Sequence, residues 1–269
     1  MDKRPIGVFD SGLGGLTAVK KIAEILPGED IIYLGDTGRI PYGSRSRDTI
    51  IKYAHQDASF LARFNIKAMV IACNTVCSVA FCSLKEEYDF PVYEVVGVPA
   101  AAAAKKTVNN KIGVIGTAAT IRSGAYEKAL KEIDPTLIVF SVPCPLFVPL
   151  VEEGWINADD ETALNITKRY LGNLKESGID TLILGCTHYP LLRNVISKVM
   201  GTGVSLIDSG AETAKHVAKD LRERKSLNRN KEGGTIRYYV TDSITGFSNV
   251  ASMYLESDVL GMVQQVSLE

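Results

Sequence analysis

What most constrains this chain is an alternation. Short, β-branched apolar runs recur along it, each followed by a longer segment whose apolar residues return with helical period. The runs are IGVFD (6–10), IIYLGD (31–36), AMVIAC (68–73), VYEVV (92–96), IGVIGT (112–117), TLIVFS (136–141), TLILGC (181–186), VSLID (204–208) and IRYYVTD (236–242). Strands that are apolar almost throughout are buried on both faces, as parallel strands joined by crossover helices are. The pattern therefore predicts an α/β fold with mainly parallel sheets. Most of the runs end in Asp, Cys, Thr or Gly, and in open α/β sheets the binding crevice lies outside those carboxyl ends.

A faint internal repeat divides the chain. IGVFDSGLGGLTAVKKI resembles IGVIGTAATIRSGAYEKAL, and AMVIACNT resembles TLILGCTH, with similar separations inside each copy. Two pseudo-symmetric, three-layer α/β domains are expected, with the active site in the cleft between them. The first is discontinuous, over 1–97 and 207–269, and the second covers 98–206. The change of unit falls at the alanine-rich stretch 97–106, with a return near 207.

A formal net charge of -1 over 269 residues gives no electrostatic reason to expect nucleic acid or an anionic membrane as partner. The mixed-sign segment KDLRERKSLNRNKEGG (219–234) reads as a solvated helix end and loop. The start, MDKRPIGVFD, lacks the apolar core of a secretory signal, and the longest weakly polar run, VVGVPAAAAA, is about half of what crosses a bilayer. A cytoplasmic protein is the expectation. In that reducing compartment the five cysteines (73, 77, 82, 144 and 186) are free thiols. None forms a CxxC pair and no matching ligand cluster completes a zinc site, so no metal is expected.

A lone Cys in an apolar run is ordinarily a small core hydrophobe, and Cys77, Cys82 and Cys144 are read that way. Cys73 and Cys186 differ, because each closes a strand and is followed by polar residues, Asn74 and Thr75 or Thr187 and His188. Two thiols on opposite sides of one pocket suit a reaction that removes a proton from one face of a carbon and delivers another to the opposite face. Asp10 and His188, in the strand-end loops of the two halves, can assist the nearer thiol. His55 and His216 lie in helical patterns and read as structural.

Five stretches, GVFDSGLGGLTAV, GDTGRIPYG, IACNT, FVPLVEEG and LGCTHYPLL, occur in an order that resembles the cofactor-independent aspartate/glutamate racemase family over essentially the whole chain. The resemblance places catalytic cysteines at Cys73 and Cys186, with Asp10 beside Cys73, and Glu152 and His188 beside Cys186. It carries substrate contacts to Ser11, Pro41, Tyr42, Gly43, Asn74, Thr75 and Thr187, with Asp36, Thr117 and Thr120 as further candidates. It implies a homodimer that interconverts L- and D-glutamate without any cofactor and supplies D-glutamate for bacterial peptidoglycan. No lysine occupies a strand-end motif where a pyridoxal Schiff base would need one, and no arginine clamp for the substrate carboxylates is evident.

Two rivals are weaker. GLGG after the first strand, with Asp36 ending the second, superficially matches a dinucleotide fingerprint. Its third glycine position is Thr17, however, and Asp10 would face the pyrophosphate with a like charge. A non-catalytic amino-acid-binding protein would have no use for paired thiols. Within the enzyme class, aspartate racemisation shares the same logic and differs in pocket shape.

Overall fold

Strand β1 (Ile6–Asp10) is buried at every residue and runs parallel between β2 (Ile31–Gly35) and β3 (Ala68–Ile71). That position explains its unbroken apolar character. The computed structural model describes residues 1–255, 257, 259 and 261–268. Completing this sheet are β4 (Val92–Tyr93), β9 (Ile236–Val240) and β10 (Val263–Gln265), in the order β10-β9-β2-β1-β3-β4. The second sheet, of β5 (Lys111–Gly116), β6 (Ile138–Pro143), β7 (Thr181–Gly185) and β8 (Ser205–Asp208), has the order β6-β5-β7-β8. Every strand pairing among the described residues is parallel.

The internal repeat reappears as topology. The first four strands lie as β2-β1-β3-β4 and the next four as β6-β5-β7-β8, the same order twice. In each copy the chain leaves the central strand to one side and returns on the other. That switch point opens a crevice at the carboxyl ends of β1 and β3, and of β5 and β7.

Helices connect the strands: α1 (Leu16–Ile25), α2 (Arg47–Ala62), α3 (Asn74–Glu87), α4 (Gly97–Lys106), α5 (Ala118–Ser123), α6 (Ala125–Ile133), α7 (Phe147–Glu152), α8 (Glu161–Glu176), α9 (Arg193–Met200), α10 (Ser209–Glu223) and α11 (Ile244–Leu255). No helix among the described residues is long and apolar enough to cross a membrane.

Strand positions depart from the sequence reading in three places. VYEVV keeps only two strand residues, because the Glu94 carboxylate accepts the backbone N–H groups of Val96, Gly97 (2.7 Å) and Val98 (3.3 Å) and so starts α4 at once. The sixth strand is shifted to Ile138–Pro143, after a turn in which Asp134 accepts the Thr136 N–H at 2.8 Å. Strand β10 was not expected, since three residues pairing only with β9 present no apolar run.

Candidate active site

Asp10 ends β1 buried, its carboxylate accepting the Gly12 N–H at 3.0 Å. The turn that follows needs its glycines for close approach. A Cβ on Gly15 would sit 2.5 Å from Asp10 Cβ, and one on Gly14 would sit 2.1 Å from Thr187 Oγ1 and 2.5 Å from His188 Nδ1. The first half's glycine turn is thus packed directly on the loop that carries Cys186. Thr17 ties the two loops, its hydroxyl lying 2.9 Å from the Gly14 carbonyl and 3.0 Å from that of Thr187.

Cys73 caps α3 and donates its thiol hydrogen to Ser11 Oγ at 3.2 Å. Burial, and then the negative charge of Asp10, push this thiol up to about 12. Asn74, the first residue of α3, donates through Nδ2 to the Val95 carbonyl (3.0 Å) and the Tyr126 hydroxyl (2.7 Å). Its Oδ1 is buried and has no hydrogen-bond partner among the described residues. Three hydroxyls interlock between the two halves: Thr75 Oγ1 lies 2.9 Å from Thr117 Oγ1 and 3.4 Å from Thr120 Oγ1, and the last two are 3.0 Å apart.

Cys186 follows β7, with its Sγ 3.8 Å from His188 Nδ1. The other ring nitrogen, Nε2, lies 3.2 Å from Glu152 Oε1 at the end of α7. Burial alone would lower the His188 pKa, but the hydrogen bonds to Cys186 and Glu152, together with the charges of Cys186 and Asp10, outweigh it and raise the value to about 10. At neutral pH the ring is therefore an imidazolium, placed directly against the Cys186 sulfur. Asp10 reaches the same loop, accepting from Thr187 Oγ1 at 3.5 Å, and burial holds its carboxyl above the usual range.

One cavity of about 560 Å³ takes lining from both sheets, with Cys73, Asn74 and Thr75 from one side and Cys186, Thr187 and His188 from the other. The family pattern described as Asp/Glu/Hydantoin racemase matches residues 6–217. This chain belongs to the Asp/Glu/Hydantoin racemase family. The glutamate racemase of Geobacter metallireducens is 48% identical over 269 residues, covering 100% of this chain and 98% of that protein. A solved glutamate racemase isoform of Bacillus anthracis superposes with a TM-score of 0.95 at 40% identity, over 100% of this chain and 99% of the other. The glutamate racemase of Francisella tularensis, solved in complex with D-glutamate, gives 0.92 at 42% identity, with 100% and 99% covered.

As a member of these racemases the chain is an isomerase. Ser11, Pro41, Tyr42, Gly43, Thr117 and Glu152 line the cavity with the two cysteine loops. Asp10 and Thr120 stand behind the lining, bonded to Thr187 in the one case and to Thr75 and Thr117 in the other. Asp36 does not reach it. Its side chain is fully buried and accepts from Arg39, the Tyr42 hydroxyl and Thr241, so it supports the wall from outside.

One expectation needs correction, and one lining residue was not anticipated: Arg122, in the last turn of α5, lines the cavity and is exposed. Cys82 is no core residue but lies exposed on α3, whereas Cys77 and Cys144 are buried. Sequence reasoning also missed the apolar wall of Leu13, Ile40, Val148 and Pro149. Of these, the last two lie inside the FVPLVEEG stretch, which was the available signal. His55 bonds Glu87 and Ser83, and the His216 ring meets Tyr93 edge-on, both outside the cavity.

Proposed function

We propose that this racemase interconverts L- and D-glutamate by direct proton transfer at Cα, with Cys73 and Cys186 as the two acid/base groups. The observation that carries the reading is the shared cavity, in which the two thiols belong to loops of different sheets. A substrate carbon held between them presents one face to each sulfur. Cys186 as thiolate, beside the His188 imidazolium, takes the proton while the Cys73 thiol gives one to the opposite face. After that turnover Cys73 is the thiolate and Cys186 the thiol, which is the form that accepts the other enantiomer. No external acid or base enters the balance.

Binding groups match a dicarboxylic amino acid. Backbone N–H groups at the start of α3, the hydroxyls of Ser11, Thr75, Thr117 and Thr187, and the Arg122 guanidinium suit two carboxylates. The unpartnered Asn74 Oδ1 is an acceptor of the kind an ammonium needs. Asp10 positions Thr187, and Glu152 holds His188. From the family resemblance we further propose a cytoplasmic homodimer that supplies D-glutamate for peptidoglycan, with domains over 1–97 and 207–269 and over 98–206. Residues 256, 258, 260 and 269 of that range lie outside the described residues.

The test is to offer purified protein L-glutamate and L-aspartate separately in deuterated water without added cofactor. Inversion of glutamate with deuterium entering Cα as product forms is expected. A rate that requires pyridoxal phosphate or metal, or a preference for aspartate, would overturn the reading.

A further inference from the structure

Asp57 is a buried carboxyl with no part in the proton transfer set out above. It lies on α2 with its side chain wholly out of solvent, where an acidic group persists only with partners. Those partners form a compact network. Arg39 donates through Nη2 to Asp57 Oδ1 at 2.9 Å, through Nε to Asp36 Oδ2 at 2.6 Å and through Nη1 to Gln56 Oε1 at 2.5 Å. Thr241 donates its hydroxyl to Asp36 Oδ1 at 2.8 Å. At the centre the Tyr42 hydroxyl donates to Asp36 and lies 3.2 Å from Asp57 Oδ2.

One guanidinium serves two carboxyls here. Burial first, and the charge of Asp36 second, hold the Asp57 carboxyl well above the ordinary range against the pull of Arg39. That direction favours the protonated form of Asp57. The phenol has a single hydrogen and two carboxyls to meet, and a protonated Asp57 supplies the second hydrogen that the contacts need.

What the network holds is the lip of the substrate cavity. Tyr42 is buried by its ring, while the turn it belongs to, from Pro41 to Ser44, lines the cavity. The same turn reaches the opposite half, since a Cβ on Gly43 would sit 3.2 Å from Thr117 Cβ. A turn of this kind has no ladder of its own to fix its height, and its register depends on what grips the Tyr42 ring.

We infer that Asp57 is a positioning residue for substrate: through the Tyr42 hydroxyl and Arg39 it fixes the Pro41–Ser44 turn at the place where that turn meets the bound amino acid. This rests on reading the cavity as the glutamate site. It predicts a loss in binding rather than in chemistry, because neither thiol touches the network.

The experiment compares Asp57→Ala, Asp57→Asn and Leu171→Ala, the last a buried residue of α8, in steady-state racemisation and thermal melting. Asp57→Ala should raise KM about tenfold in both directions with kcat within about threefold of wild type. Asp57→Asn keeps the shape and offers an N–H in place of the acid proton, and should hold KM within about threefold. Leu171→Ala should lower the melting temperature and leave KM alone. A wild-type KM in Asp57→Ala, or a matching KM rise in Leu171→Ala, overturns the inference while leaving the glutamate reading intact. If Asp57→Ala does not fold, Tyr42→Phe reads the same link, and an unchanged KM there is equally fatal. Wild-type protein that fails to turn over glutamate overturns both.

Discussion

Cys186 Sγ stands 3.8 Å from His188 Nδ1, on a ring whose far nitrogen meets Glu152 at 3.2 Å. The partner thiol has the opposite surroundings, with Cys73 meeting the Ser11 hydroxyl and the negative charge of Asp10. The two-base reading proposed above needs one sulfur to take a proton and the other to give one. If both sulfurs were thiols nothing would take the substrate proton, and if both were thiolates nothing would return one. In the reading proposed above, the cation stands by the sulfur that takes the proton and the anion by the sulfur that gives one.

Loss of either sulfur should therefore stop inversion in both directions. Cys73→Ala and Cys186→Ala are each expected to lower kcat by about 10³-fold, and Ser at either position should be nearly as damaging because a hydroxyl is a poor base near neutral pH. Circular dichroism of D- and L-glutamate reads the outcome. Retained turnover in either alanine variant would remove the two-base assignment.

The imidazolium has a thermodynamic signature. His188 titrates near 10 in the folded protein against an ordinary value of 6.5, so the folded state holds a proton that the unfolded chain releases between those values. Its stabilisation is complete below about pH 6.5 and is lost as pH rises through about 10, at a slope of at most about 1.4 kcal/mol per pH unit. The melting temperature of wild type minus that of His188→Gln should accordingly shrink across this window. A constant difference from pH 6 to 10 would mean the ring is neutral throughout.

How much of this was legible follows from where each signal resides. Cys73 and Cys186 could be read because each is a polar-flanked thiol closing an apolar strand, and the repeat of strand order places both at a switch point. Arg122 could not, since a lone arginine in a helical segment reads as a solvated side chain until folding brings α5 beside the cavity. Asp36 was read correctly as ending a strand pattern, yet its direction is set by Arg39, Tyr42 and Thr241, the last a residue more than two hundred positions away. Short β4 was misjudged because apolar content suggested strand while Glu94 captured the N–H groups of Val96, Gly97 and Val98 for a helix. Strand ends and repeats are local information, and side-chain networks between distant loops are not.

Thiol labelling separates the cysteines by environment. Alkylation needs the thiolate, and a thiol pushed to about 12 is less ionised at pH 7.5 than an ordinary one by roughly three powers of ten. Iodoacetamide should modify exposed Cys82 first and leave Cys73 essentially untouched, as read by peptide mass mapping. Preserved activity after Cys82 is fully labelled would fit its place on the solvent face of α3, whereas rapid labelling of Cys73 would contradict its buried, Asp10-facing position.

The contact between Gly14 and the Cys186 loop makes the sharpest mechanical prediction. A methyl at residue 14 would fall 2.1 Å from Thr187 Oγ1 and 2.5 Å from His188 Nδ1, far inside contact distance, so one side must move. Residue 14 has no left-handed backbone requirement, and an alanine there is disfavoured by the neighbouring loop alone. The loop that yields is the one that aims Cys186 and keeps His188 against it. Displacement approaching an ångström should cost about 10²-fold in kcat for Gly14→Ala, because both sulfurs must address one carbon. Gly124→Ala provides the contrast: its φ of +66° strains an alanine, but nothing lies within 4 Å of the added methyl. It should lower the melting temperature and leave kcat near wild type. If Gly14→Ala instead loses only stability, with kcat preserved, the two loops are not held in register by this contact and the pairing of the thiols must be set elsewhere.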